Sequence, residues 1–228
     1  MVKYLQDHIP KNTQFNRRTS YEMHPTYLTI HNTGNSTSSA RNERNWLTNP
    51  FNKRTASFHI IIDENEAIEC IPLNEVAWHA GDGNGDGNRR SIGIEICESG
   101  NYEQTLENAV QLVASMLRKR GWGVDRLRRH YDWSGKICPR LMYDSGKWTG
   151  WHKFVAAVDT QLKEVNDILQ FEHDYQWKQL GDALDGLYRV GEINDYTWAE
   201  KAYTRKLTQS ELAWINTILY ARGKGIAV

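Results

Sequence analysis

The apolar pattern of this chain changes kind near residue 165, and nothing else in the sequence constrains the fold as much. Before that point short β-branched runs alternate with helical stretches; after it no strand pattern recurs. The clearest strand is Ser91-Ile-Gly-Ile-Glu-Ile-Cys97. A period of two puts Ile92, Ile94 and Ile96 on one face and Gly93 and Glu95 on the other. Residues 27–31 alternate and stop at the turn Asn32-Thr33-Gly34; 57–63 and 67–71 predict two further strands joined by a turn at 63–66. Helices are predicted over 41–47, from a capping box at Asn101 and Gln104 as far as Gly121, and over 149–163 with Phe154, Val158 and Leu162 on one face. Strands alternating with helices predict an α/β domain, a sheet with helices packed on it, over 1–164. Residues 171–188, 195–203 and 207–221 predict three helices, the last opened by the capping box Thr208 and Glu211. They make a small all-α C-terminal domain over 165–228.

Composition excludes several functions. The 28 basic and 28 acidic residues cancel, whereas a general nucleic-acid binder needs surplus cations against phosphates. Mean hydropathy is −0.68 and no apolar run approaches the ~20 residues of a membrane span, so no membrane insertion is expected. The first residues lack the apolar stretch of an export signal, which predicts synthesis in the cytoplasm without a leader. Three widely spaced cysteines, Cys70, Cys97 and Cys138, are no disulfide framework. Cys70 and Cys97 fall in strands and are expected as small buried hydrophobes.

The chemistry-bearing residues are scattered. The loop Gly81-Asp-Gly-Asn-Gly-Asp-Gly-Asn88 matches the first half of a calcium loop, but its closing glutamate would fall on Gly93, so a rim around a site is the better expectation. His31 ends a strand, and His130 and Cys138 lie eight apart in an irregular stretch. Two imidazoles and a thiolate make a three-ligand zinc set with one position left for water. Residue types alone equally allow ordinary surface or core histidines.

Four ordered motifs narrow the choice: Thr29-Ile-His31-Asn32-Thr33-Gly34, Ala77-Trp78-His79-Ala80-Gly81, Ser91-Ile-Gly-Ile-Glu95-Ile, and His130-Tyr-Asp-x5-Cys138-Pro139. Together they resemble the type 2 N-acetylmuramoyl-L-alanine amidases, the zinc peptidoglycan hydrolases of phage endolysins and bacterial autolysins, over roughly residues 20–160. The resemblance implies a central twisted mixed sheet flanked by helices, with Zn2+ held by His31, His130 and Cys138. It implies Glu95 as the proton-accepting base and Lys136 as a catalytic cation. It puts His79 in the substrate groove. Trp78 is expected as groove wall or core, and His59 either points into the groove or serves packing. Some relatives carry a tyrosine just before the histidine of the second strand; here that position is Phe58, which cannot donate a proton.

The implied reaction is hydrolysis, by zinc-activated water, of the amide between N-acetylmuramic acid and the L-alanine of the stem peptide. The role of an endolysin, acting on the cell wall after release, goes with it. Two other readings compete: a non-catalytic peptidoglycan-binding protein, against which Cys138 speaks, and a zinc peptidase of the peptide cross-links. The C-terminal domain is expected to bind wall polymer or to mediate dimerisation. Trp177, Tyr188, Trp198, Tyr203 and Trp214 are its candidate aromatics, most of them expected in its core.

Overall fold

The computed structural model describes the backbone of residues 2–228 and, within that range, every side chain except those of 164–166. The chain divides into two compact units between Gln161 and Leu162. The join expected at 164/165 falls on side chains outside the described residues.

The first unit is built on a six-stranded mixed sheet. Its strands are β1 (Lys3–Gln6), β2 (Tyr27–Asn32), β3 (Ile60–Ile62), β4 (Glu66–Glu69), β5 (Ser91–Ile96) and β6 (Leu127–Arg129), in the spatial order β1-β4-β3-β5-β2-β6. Only β3 and β4 pair antiparallel; the other four pairings are parallel. The register sets Tyr27 beside Ser91, Thr29 beside Gly93 and His31 beside Glu95. In a parallel pair such neighbours face the same way, so the alternation along β5 decides which groups meet. Leu28, Ile30, Ile92 and Ile94 fill the opposite face and are fully buried, each contributing about 1.5–3 kcal/mol relative to exposure. Both sheet edges are short and carry charge (Lys3 on β1, Arg128 and Arg129 on β6), which discourages further strand pairing.

Helices α1 (Ala40–Thr48), α2 (Asp86–Arg89), α3 (Tyr102–Arg118) and α4 (His130–Ser134) belong to this unit, and α5 (Thr149–Asp167) runs through the boundary. The α3 start obeys its sequence: the Asn101 side chain accepts the Gln104 backbone N–H at 3.1 Å. Half of the expected capping box is absent, because the Asn101 N–H goes to Glu64 instead. On the site side of the sheet Ala40, Leu47, Phe58, Ile61, Ile68, Cys70, Ala77 and Cys97 form one buried cluster with Trp46 packed against it. Trp148 lies within this unit, with Arg129 4.3 Å above its ring and Tyr131 and Tyr143 at its edges.

The second unit contains α6 (Asp174–Arg189), α7 (Thr197–Tyr203) and α8 (Gln209–Gly223). Its core is Trp177, Leu184, Ile193, Ala199, Ala202, Leu207 and Ile215. The α8 start is a full capping box: Thr208 Oγ1 accepts the Glu211 N–H at 3.1 Å, and Glu211 accepts the Thr208 N–H at 3.0 Å. Gly181 sits in mid-helix, where glycine costs about 0.5–1 kcal/mol relative to alanine. A Cβ there would run into the ring of Tyr203, so the glycine lets α6 and α7 approach. The expected aromatic core is corrected in part: Trp177 is buried and Trp198 packs against the core, while Trp214 is 56% and Tyr188 and Tyr203 are each 42% exposed. No helix among the described residues is long and apolar enough to cross a membrane.

Candidate active site

Three segments far apart in the chain meet at the carboxyl ends of β2 and β5. His31 stands near the end of β2, His130 opens α4 directly after β6, and Cys138 follows the left-handed turn at Gly135. The Cys138 loop is fastened to β2 and to α4 by hydrogen bonds. Asn32 Oδ1 accepts the Leu141 N–H at 3.1 Å, and the Cys138 carbonyl accepts the Tyr131 N–H at 3.1 Å. The buried Glu98 carboxylate accepts from both the Gly34 N–H (3.0 Å) and the Arg140 guanidinium (2.8 Å), so one side chain ties the turn after His31 to the loop after Cys138.

His31 Nδ1 lies 3.0 Å from His130 Nδ1 and 3.7 Å from Cys138 Sγ, and the three atoms all fall within 4.8 Å of one another. Tetrahedral zinc with ordinary bond lengths separates two nitrogens by roughly 3.3 Å and a nitrogen from a sulfur by roughly 3.6 Å. All three side chains are buried. Burial first, then the neighbouring histidines and Lys136, hold His31 well below the usual imidazole range. Burial, then Lys136, brings His130 to about 4. Both rings are therefore neutral at physiological pH, the form that ligates metals. Burial, with Glu95 adding, pushes the Cys138 thiol up to about 12. A thiol so reluctant to ionise is suited to a thiolate role only beside a cation. Spacing, burial and donor chemistry thus fit a zinc ion.

Glu95 is beside this cluster, with one carboxylate oxygen 3.8 Å from His31 Nδ1 and the other buried without a hydrogen-bond partner. Burial pushes its pKa up to about 8, against the opposing pull of Lys136. Lys136 is exposed and lines the same cavity of about 890 Å³, a size suited to a sizeable ligand. Trp78 forms part of the wall and anchors its indole N–H on the Asn16 carbonyl at 3.1 Å. Phe58 lines the cavity.

Of the two histidines expected at the groove, His79 lines the cavity, while the groove placement of His59 is corrected. His59 does not point into the groove. Its ring is fully buried, accepts the Gly93 N–H at Nδ1 (2.9 Å) and donates from Nε2 to the Glu75 carbonyl (2.8 Å), so packing and backbone satisfaction account for it. His79 borders the cavity, but both its ring nitrogens are engaged, one with His31 Nε2 at 3.1 Å and one with the Ser91 carbonyl at 3.1 Å, which leaves no polar atom for a substrate. The glycine-rich loop is a rim, with Gly81 and Gly83 lining the cavity. Of its two acidic side chains, Asp82 turns back on the loop and accepts the Gly87 N–H at 2.7 Å, while Asp86 is exposed. Sequence reasoning missed Glu43, Trp46 and Arg54, which line the far wall. They sit on α1 and the loop after it, and no motif marks them.

A sequence model described as N-acetylmuramoyl-L-alanine amidase matches residues 21–141. The chain is similar to N-acetylmuramoyl-L-alanine amidase CwlA of Bacillus subtilis (strain 168), 44% identical over 61% of this chain and 51% of that one. It is also similar to N-acetylmuramoyl-L-alanine amidase XlyB of the same strain, 46% identical over 71% of this chain and 52% of that one. It spans about half the length of these relatives. Among solved structures, the catalytic domain of XlyA superposes with a TM-score of 0.63 at 39% identity, over 69% of this chain and 99% of that domain. The matched span holds all of His31, Glu95, His130 and Cys138, and the chain belongs to the type 2 N-acetylmuramoyl-L-alanine amidases.

Proposed function

We propose that this protein is a zinc-dependent, endolysin-like peptidoglycan hydrolase that cleaves the amide between N-acetylmuramic acid and the L-alanine of the stem peptide. The observation that carries the reading is the convergence of His31, His130 and Cys138 beside the half-buried Glu95 in one open groove. Family membership supplies the bond; the geometry supplies the means.

His31, His130 and Cys138 would hold the ion. When bound, zinc supplies Lewis acidity, which acidifies water and polarises a carbonyl. Glu95 takes the proton from the attacking water and passes it to the departing alanine nitrogen. Burial, against the opposing pull of Lys136, raises the basicity of Glu95 as a proton acceptor. The Lys136 ammonium, on the cavity wall two residues before Cys138, stabilises the oxyanion that develops on the lactyl carbonyl. A donor of this kind is typically worth ~10²–10³ in turnover. Phe58 contributes shape only, so the proton traffic falls to Glu95. The Trp78 and Trp46 rings give flat apolar walls suited to a sugar-peptide chain.

For the second unit we favour wall binding over dimerisation. Trp214, Tyr220 and Tyr175 are 56%, 70% and 58% exposed, which supplies flat rings for sugar stacking.

Mass spectrometry of digested walls tests the whole reading. The expected products carry a free amino group on stem L-alanine; new amino groups confined to the cross-links would show a peptidase instead. Chelator should abolish release and zinc restore it.

A further inference from the structure

His79 and the glycine of Ser91-Ile-Gly93 are not used by the reaction as described, yet they meet each other. The His79 ring occupies the space over Gly93 on the polar face of β5. A Cβ at Gly93 would stand 2.5 Å from His79 Cγ and 2.8 Å from its Nδ1, so any larger residue there would displace the ring. From that position His79 reaches the Ser91 carbonyl with Nε2 (3.1 Å) and His31 Nε2 with Nδ1 (3.1 Å). Its backbone is fixed as well: Asn88 Oδ1 accepts the N–H groups of both His79 and Ala80 at 2.8 Å.

We propose that His79 is a positioning residue for the metal centre, fixing through its hydrogen bond the His31 tautomer whose Nδ1 lone pair faces His130 and Cys138. This inference rests on the zinc reading above. The logic follows from donors and acceptors. A backbone carbonyl only accepts, so His79 Nε2 carries the hydrogen at Ser91. A neutral ring then has a bare Nδ1, which accepts. The hydrogen between the two rings therefore belongs to His31 Nε2, and a neutral His31 keeps its other nitrogen bare. That nitrogen, Nδ1, is the one 3.0 Å from His130 Nδ1 and 3.7 Å from Cys138 Sγ. Two hydrogen bonds thus run from the main chain of β5 to the ligand atom of β2. Outer partners of this kind orient a histidine ring and raise its basicity, and losing one typically costs ~10–100-fold in metal affinity. In this arrangement the glycine of the β5 motif clears the floor on which His79 lies. The glycine-rich loop contributes as well, since its Asn88 holds the His79 backbone.

The test uses the full chain and zinc itself, with affinity measured by competition against a chelator of known strength. His79→Leu, which fills the space but cannot hydrogen-bond, should bind zinc ~10–100-fold more weakly. His79→Asn, whose amide oxygen takes the place of Nδ1, should recover affinity to within about threefold of the parent. The absorption bands of the cobalt-substituted protein should shift in the leucine variant and return in the asparagine variant. Equal affinity in the leucine variant and the parent overturns the proposal. So does an equal loss in both variants, which would make the role one of packing. A parent protein that takes up no stoichiometric zinc overturns the metal reading itself, a separate outcome. If the leucine variant does not fold, nitrogen-resolved imidazole NMR of the parent decides: a hydrogen on His79 Nε2 and a bare Nδ1 support the proposal, and a hydrogen on Nδ1 overturns it.

Discussion

The two units break the ordinary rule of burial in opposite senses. The first buries polar groups: His31, His59, His79 and His130 are all within 7% of full burial, and Glu95 has an oxygen with no partner. The second exposes apolar ones: Trp214, Tyr220 and Tyr175 lie on its surface while Trp177 and a set of leucine, isoleucine and alanine side chains fill its interior. Both are anomalies of the informative kind, because buried polar atoms and exposed large rings each cost free energy in isolation. Under the proposed function, the difference divides the labour between the units. Buried polar groups are pre-aimed and act on a bond; exposed rings offer area without direction and suit adhesion to a repetitive polymer.

Removing the cation's soft ligand should give the largest effect. Cys138→Ala is expected to lose stoichiometric zinc and about 10⁴-fold or more in turnover, the several kcal/mol that a Lewis acid supplies. Metal analysis and wall-release rates check it, and a variant that retains zinc and activity would remove the sulfur from the site. Glu95→Gln keeps shape and loses the proton acceptor. It should retain zinc and slow turnover by ~10²–10⁴-fold, measured on the same walls. Gly93→Ala separates the two sides of β5: the added methyl meets the His79 ring, for a loss of roughly 1–3 kcal/mol in denaturant unfolding of the first unit. The second unit responds in a different assay. Trp214→Ala should weaken sedimentation of the intact protein with purified walls by about three- to tenfold, the worth of one stacked ring at ~0.5–1.5 kcal/mol, while leaving turnover on small soluble fragments unchanged. Equal loss in both assays would erase the proposed division of labour.

The smallest effect concerns pH and stability away from the cavity. Arg18 grips Glu75 through two hydrogen bonds of 2.8 Å and, by that hydrogen bond first, holds its carboxyl below the usual range. A lowered folded-state pKa stabilises above the unfolded value and is lost as pH falls through the folded one. Glu75→Gln should therefore cost about 0.5–1 kcal/mol at neutral pH, and the gap to the parent should close on acidification below the ordinary carboxylate range. A pH-independent gap would assign the cost to packing.

Much of this was legible in the sequence for a local reason. The alternation of Ile92, Ile94 and Ile96 with Gly93 and Glu95 fixes which side chains share a face whatever the strand pairs with. Thr208 and Glu211 cap α8 with groups three residues apart. Strand β1 was not legible, because Lys3–Gln6 has no apolar alternation and becomes a strand only through its pairing with β4. Glu43, Trp46 and Arg54 carry no motif and reach the cavity only through the placement of α1.

The histidines draw the line most sharply. The sequence by itself determined the strand faces, the helix starts, the change of architecture near residue 165 and, through four ordered motifs, the family. It assigned His31, His59 and His79 different roles only through resemblance, since residue type and local spacing say nothing of which atoms each ring nitrogen meets. Tertiary structure decided that one presents a nitrogen to His130 and Cys138, one is spent on backbone groups, and one joins the first to Ser91. The physical reason is that faces and caps depend on neighbours a few residues away. The partner of an imidazole nitrogen depends instead on strand register and loop placement across 12 to 107 residues of chain.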